Sequence, residues 1–262
     1  MDKKKTDSQN FFREVQIEFL IHELKDPLSI IETGTRMLLE KKEKYGELSE
    51  RQEKTLRRTL RGTRKVRQML YDLLEIGRSE AGCFQCAYFQ PVKTVYEVLL
   101  DALETVSESG FEEYRNYEDK NEAVGFLSGY GIVWDIAPQL TDTMMLQDEI
   151  KFRQIVGNLI KNALYYRKER LEIRMKQENK SLFVEVGDDG PGIAAEHHEI
   201  IFKRYAQVKE ANADSALQRK GHGLGLAGAL IVARYMGGDI QVKSQKGKGA
   251  VFQLMLPLNR EE

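Results

Sequence analysis

Apolar residues in the first part of the chain fall at Ile17, Ile21, Leu24, Leu28, Ile31 and Leu38, with Thr35 filling the gap. Steps that alternate four and three define a heptad seam on a helix. The pattern fades near Lys44, and Tyr45-Gly46-Glu47-Leu48 supplies a turn. Ser49 followed by Gln52 resembles a capping box. It opens a second stripe of Leu56, Leu60, Thr63, Val66, Leu70 and Leu73, which closes near Ala81-Gly82, where glycine suits a C-cap. Two long helices joined by a short turn leave each with an unburied face. The spacing therefore predicts a hairpin that completes itself as a homodimeric four-helix bundle.

From Pro91 the texture changes. Helical periodicity over 92–106 and 146–166 is followed by strand-like alternation over 171–176 and 181–186. A further helix over 227–235 leads to strands over 239–244 and 250–257. Helices segregated against a mixed sheet predict an α/β sandwich. Residues 108–130 are acidic, contain glycine and lack a period, so they read as an inserted loop. The expected organisation is a helical hairpin over 1–82, a linker over 83–90 and an α/β domain over 91–262.

Composition narrows the class. The chain has 262 residues, 41% hydrophobic and 31% charged, which suits folded domains rather than disorder. No run approaches the roughly 18–20 apolar residues of a membrane span. The basic N-terminus has no apolar core of a signal peptide, so a cytoplasmic protein is expected. The formal net charge of −1 gives no global pull toward nucleic acid. The charge is uneven, at +3 over residues 1–82 and −4 over the rest. Residues 57–67, RRTLRGTRKVR, hold six bases and no acid. With no interleaved aromatic rings they read as a solvated helix face, open to an acidic protein partner, rather than a nucleic-acid surface. Cys83 and Cys86 form a CxxC without a second ligand pair, and are expected to be reduced thiols in the linker.

The chemistry sits in a few short segments. His22 in FLIHELKDPLSI lies one residue past the seam position Ile21, so it turns toward solvent, and Pro27 should bend or loosen the helix just after it. Taken alone it is an ordinary surface histidine. In FRQIVGNLIKNAL, Asn158 and Asn162 share one helical face, and an amide oxygen can ligate Mg²⁺. In VEVGDDGPGI, a strand runs into Asp188, Gly190 and Gly192. A carboxylate there can accept from an exocyclic amine of adenine, as an acid does from cytosine, while glycine allows close backbone approach. In KGHGLGLAGALIVARYMGG, Gly221, Gly223 and Gly225 lead into a helix, where backbone N–H groups favour phosphate. Gly223, Gly225 and Gly228 also spell GxGxxG, but no strand precedes them, which rejects a dinucleotide fold. No P-loop sequence occurs.

HELKDPL, NLIKNA, DDGPGI, IFKRY and GHGLGLAGALIVARYMGG, in that order, resemble the histidine protein kinases of two-component signalling. The resemblance runs from about Phe11 to Pro257, apart from 108–130. It implies a dimerisation and phosphotransfer hairpin followed by a GHKL-type ATP-binding domain that uses ATP and Mg²⁺. By this likeness His22 is the phosphoacceptor and Glu23 the acid that orients or deprotonates it. Asn158 and Asn162 match the asparagine box, with Asn162 at the Mg²⁺ position. Asp188 matches the adenine-selecting carboxylate, flanked by Gly190 and Gly192. Phe202, Lys203, Arg204 and Tyr205 resemble the edge of an ATP lid over 206–220. Gly221, Gly223, Leu224 and Gly225 resemble the glycine box beyond it.

The implied acceptor of the phosphoryl group is an aspartate on the receiver domain of a separate response regulator. Sensory input is expected from a separate protein or from segments outside this chain. Asp26 departs from the threonine or asparagine common four residues after the phosphoacceptor, which argues against dephosphorylation of the partner. Tyr165 and Tyr166 stand where a lysine is common after the asparagine box. His197, His198 and His222 are expected to be non-catalytic. The competing readings are a nucleotide-binding dimer that signals by conformation, and another GHKL ATPase, against which the hairpin argues.

Overall fold

The computed structural model describes residues 23–80, 84–104, 120–203 and 225–259. The chain forms two compact units, Met1–Cys83 and Phe84–Glu262.

In the first unit, helix α1 is described over 23–40 and runs through Pro27. A short helix α2 (Lys42–Tyr45) ends at Gly46, whose φ of 85° is open to glycine without strain. Helix α3 spans Glu50–Glu80. The expected capping box is formed: Ser49 N–H donates to Gln52 Oε1 at 2.8 Å, and Gln52 N–H returns to Ser49 Oγ at 3.4 Å.

The two seams share their burial unevenly. Thr35 and Thr63 are buried, whereas Leu24, Ile31 and Val66 each remain 45% exposed. At mid-hairpin the buried position belongs to a charged residue that the period did not point to, Glu32 at 3% exposure. Its carboxylate accepts from Arg36 on its own helix at 2.9 Å. Across the hairpin it accepts from Arg64 at 3.4 Å and Arg67 at 2.5 Å. A buried carboxylate is retained ionised only where such partners offset its lost hydration.

The second unit begins with strand β1 (Cys86–Phe89), inside the stretch expected to be linker. It pairs antiparallel with β3 (Met145–Asp148), residues whose apolar content read as the start of a helix. The helix that follows, α6 (Glu149–Tyr166), starts only where Asp148 caps it, accepting from Lys151 N–H at 3.1 Å. The other carboxylate oxygen of Asp148 accepts from Gln85 N–H at 2.9 Å, so one side chain fixes both the helix start and the entry of the chain.

Helix α4 (Pro91–Glu104) follows β1. Residues 120–129, expected to be part of an inserted loop, form helix α5 (Lys120–Gly129). Residues 105–119 lie outside the described residues.

Strands β2 (Ile132–Ile136), β4 (Leu171–Glu178), β5 (Ser181–Asp188), β6 (Asp239–Ser244) and β7 (Ala250–Pro257) form a sheet in the order β2-β4-β5-β7-β6. Only the β2–β4 pair is parallel, giving the mixed sheet expected. Alternate residues of β4, β5 and β7 are buried, among them Leu171, Ile173, Val184, Val186, Leu254 and Leu256. They meet α4, α6 and α7 (Gly225–Tyr235) in one apolar core. Ile155, Leu159 and Ile160 of α6 are wholly buried there, each worth roughly 1.5–3 kcal/mol of removal from water. This is the expected helices-on-sheet layering, and it anchors α6 rigidly behind the candidate site.

Candidate functional site

Asp188 is the last residue of β5, held in register between Leu171 of β4 and Ala250 of β7. Its side chain is half-buried, and Oδ1 accepts from Gly190 N–H at 2.9 Å. Burial pushes its carboxyl above the usual range, against the opposing hydrogen bonds from Gly190 and Ala250. Each carboxylate oxygen carries two acceptor sites, so the group retains capacity for a further donor such as an exocyclic amine.

The glycines around Asp188 are required by contact. A Cβ on Gly190 would stand 2.3 Å from the Tyr166 carbonyl oxygen and 2.7 Å from Asp188 Oδ1. Gly192 has φ of 69°, and a Cβ there would meet the Gln245 carbonyl at 2.1 Å. The next residue, Asp189, points the other way. Its Oδ1 accepts from Lys168 N–H at 2.8 Å and from Glu169 N–H at 3.2 Å. The loop after α6 is thereby tied to the loop after β5. Partial desolvation is the largest single influence and raises the Asp189 carboxyl, but the backbone donors together outweigh it and hold the group below the ordinary range.

Asn158 and Asn162 lie partly buried on α6. A Cβ on Gly225, the first described residue of α7, would stand 3.2 Å from Asn158 Oδ1. The asparagine face of α6 thus lies against the glycine-bearing end of α7, and the carboxyl end of α6 lies against the Asp188 turn. The same stripe ends in Tyr165 and Tyr166, whose rings meet edge to face at 4.8 Å. Tyr166 is 53% exposed. Partial burial, then the neighbouring Tyr165 and the negative charge of Asp188, raise its phenol pKa. Neither the backbone contact of Tyr166 with Gly190 nor the Asp189 tie was foreseen; DDGPG signals a turn but not what the turn rests on.

The structure thus brings together Asn158, Asn162, Asp188, Gly190, Gly192 and Gly225. Lys203 is exposed just after a 3₁₀ turn, Ile200–Phe202, that Phe202 fastens to Phe252 with ring centroids 6.3 Å apart. Arg204, Tyr205, the lid over 206–220, Gly221, His222, Gly223 and Leu224 lie outside the described residues. So does His22, while Glu23 is exposed on α1. His197 ends a 3₁₀ turn, Ala195–His197, and the next residue, His198, is hydrogen-bonded to the Ile193 carbonyl at 3.2 Å. Cys86 is exposed and free, and Cys83 lies outside the described residues. No cluster of three or more metal-ligating side chains occurs among the described residues, and no described helix is long and apolar enough to cross a membrane.

Two family models divide the chain as its fold does. The His Kinase A (phospho-acceptor) domain matches residues 14–82. The histidine kinase-, DNA gyrase B-, and HSP90-like ATPase matches residues 147–260. The chain belongs to the two-component sensor histidine kinases.

Among relatives of this histidine kinase, sensor histidine kinase WalK of Bacillus subtilis (strain 168) is 28% identical over 249 residues, covering 92% of the chain and 36% of that protein. The aerobic respiration control sensor protein ArcB of Escherichia coli (strain K12) is 29% identical over 243 residues, covering 92% of the chain and 28% of that protein. The chain therefore spans about a third of the length of these relatives. In fold it is similar to full-length ShkA, solved in complex with AMPPNP, with a TM-score of 0.64 at 23% identity over 92% of this chain and 45% of that one. It is also similar to the histidine kinase AdeS of Acinetobacter baumannii, with a TM-score of 0.53 at 23% identity over 90% of this chain and 98% of that one.

Proposed function

We propose that this histidine kinase transfers the terminal phosphoryl group of ATP to its own His22, and passes it on to an aspartate of a separate response regulator. The observation that carries this reading is the close approach of Gly190 to Tyr166 and of Gly225 to Asn158. These approaches bring backbone, rather than side chain, close to the Asp188 turn and the asparagine face of α6, which suits a ligand held by main-chain groups.

In this reading Asp188 accepts from the adenine amine and selects the base. The N–H groups of Gly221, Gly223, Leu224 and Gly225 receive the phosphates, with Lys203, Arg204 and Tyr205 at the margin. The asparagine face, with its neutral amide oxygens and adjoining phosphate positions, suits a magnesium ion: Asn162 would hold Mg²⁺, which when bound neutralises phosphate charge. An unperturbed imidazole, with a pKa of about 6.5, is mostly neutral near pH 7, so His22 is proposed to offer a ring nitrogen as nucleophile. Glu23 accepts from the other ring nitrogen, fixing the tautomer and stabilising the charge that develops.

The exposed Leu24, Ile31 and Val66 support pairing of two hairpins into a four-helix homodimer. The reaction draws on ATP, which places it in the cytoplasm. The exposed carboxylate of Asp26 would repel an acidic phosphorylated partner, so transfer to the regulator is favoured over its dephosphorylation.

Incubation with γ-labelled ATP and Mg²⁺ tests the proposal. Acid-labile, alkali-stable label on the chain, lost in His22→Gln, is expected. Nucleotide binding without label would make the chain a scaffold that signals by conformation, and turnover without label would make it an ATPase of another kind. Either result would overturn the reading.

A further inference from the structure

Helix α6 carries three cations, and two of them are already engaged. Lys151 is 3% exposed against the Phe84 ring, and Arg153 is bound to Glu97 and Glu149. The third, Lys161, is exposed and has no hydrogen-bond or ion-pair partner among the described residues. The positions three and four residues away, Gly157, Asn158, Leu164 and Tyr165, offer it no carboxylate. At 100° per residue Lys161 stands about 60° from Asn158 and about 160° from the buried Ala163, so it occupies the outward edge of the asparagine face. Tyr165, one turn further on and about 40° away, brings no charge to that face.

We propose that Lys161 binds the terminal phosphoryl group of ATP and supplies the positive charge that the asparagine face lacks; the inference rests on the nucleotide site proposed above. Asn158 and Asn162 are neutral amides, so even with Mg²⁺ held at Asn162 the phosphates keep negative charge. The start of α7, where phosphate is favoured, lies against Asn158, one turn from Lys161. A lysine's flexible four-carbon stem lets its ammonium bridge one turn, about 5.4 Å. The group to be transferred has to face outward, because its acceptor lies on another part of the chain. A lysine on the outward edge meets it there, while the inner phosphates rest on backbone N–H groups. A lysine kept only for solubility would leave nucleotide affinity untouched by its loss, which separates the two roles.

The test uses the full chain and calorimetric titration with ATP and ADP, each with Mg²⁺, as probes. Lys161→Gln should weaken ATP binding about tenfold, the scale of one charge-assisted hydrogen bond, while ADP affinity stays within about twofold of the parent's. Lys161→Arg keeps the charge and should stay near the parent for both nucleotides. In labelling from γ-labelled ATP, Lys161→Gln should raise KM and also lower kcat, because the contact strengthens as charge moves on the transferring group. The position is exposed, so circular dichroism should match the parent's.

Unchanged ATP affinity in Lys161→Gln, or equal losses for ATP and ADP, overturns the placement of Lys161 on the terminal phosphoryl group while leaving the nucleotide site intact. A loss in Lys161→Arg as large as in Lys161→Gln ties the effect to shape rather than charge and also overturns it. A parent chain that binds neither nucleotide overturns the site reading itself, and the inference with it.

Discussion

Gly190 sits so close to Tyr166 that the smallest side chain would reach 2.3 Å from the Tyr166 carbonyl oxygen. The obstacle is backbone at the end of a buried helix, which yields far less readily than a side chain. Gly190→Ala should therefore move Asp188 relative to α6 and weaken ATP binding by tenfold or more, about 1.4 kcal/mol, with secondary structure retained. Calorimetric titration against ATP, alongside circular dichroism, measures it. Parent-like affinity would show that the turn does not shape the site.

With Asp188 as the proposed acceptor of the adenine amine, its raised pKa should make nucleotide affinity depend on pH. Protonation competes with its role as acceptor, so affinity should fall as pH drops through the raised value, above the range where an ordinary carboxylate would titrate. Stability runs in the opposite sense. A carboxyl with a folded pKa above its unfolded one binds its proton more tightly when folded, so stability is lost as pH rises from the unfolded value through the folded one. Asp188→Asn should therefore raise Tm near pH 7 while weakening ATP binding and flattening its acid limb. A variant that keeps the acid limb would locate the titrating group elsewhere.

Asp189 should behave conversely. Its lowered pKa means that its stabilisation is fully present above the unfolded carboxylate range and is lost as pH falls through the folded value. The carboxylate is near the surface, so solvent screening limits its worth. Asp189→Ala should cost about 1 kcal/mol, the scale of a typical net hydrogen bond, seen as a modest drop in Tm at pH 7 that shrinks in acid. ATP affinity should fall only as far as the loop after α6 loosens.

Much of this fold is legible in the amino-acid order because the local signals and the global layers agree. The strands over 239–244 and 250–257 and the Ser49–Gln52 cap are found where period and capping chemistry place them. The misreadings share one cause. Residues 86–89 and 145–148 are too short for a period to declare itself, and become strands only by pairing with each other across a stretch that holds α4, α5 and β2. Residues 120–129 are helical despite two glycines and a weak period, through packing of Leu127 and its neighbours on the core. At the candidate site, residue type singled out Asp188 and the two asparagines, which the fold sets along α6 and its neighbouring turn. The surfaces they rest on, the Tyr166 backbone for Gly190 and the 168–169 amides for Asp189, are tertiary and carry no short-range signal.

The same limit hid Glu32, which yields the sharpest test of the hairpin. A heptad reading places apolar side chains inside and would leave an acid at this position outside. Instead the carboxylate is buried at 3% exposure and gathers Arg36, Arg64 and Arg67. Removing one partner of a fully buried pair costs about 3–5 kcal/mol, largely by stranding the other charge. Here the three guanidinium groups are roughly half exposed and keep part of their hydration. Glu32→Ala should therefore cost less, about 1–3 kcal/mol. Glu32→Leu fills the same space with apolar surface and should recover much of that loss, since an apolar replacement offsets the desolvation that the carboxylate incurs. If the layer also fixes how α1 and α3 align, Glu32→Leu should unfold less cooperatively despite its recovered midpoint, because an apolar seam tolerates slippage that a charged layer forbids. Thermal unfolding of the full chain, followed at both units, separates the two effects. Equal stability of Glu32→Ala and the parent would show that the cluster is a surface ion pair of no consequence.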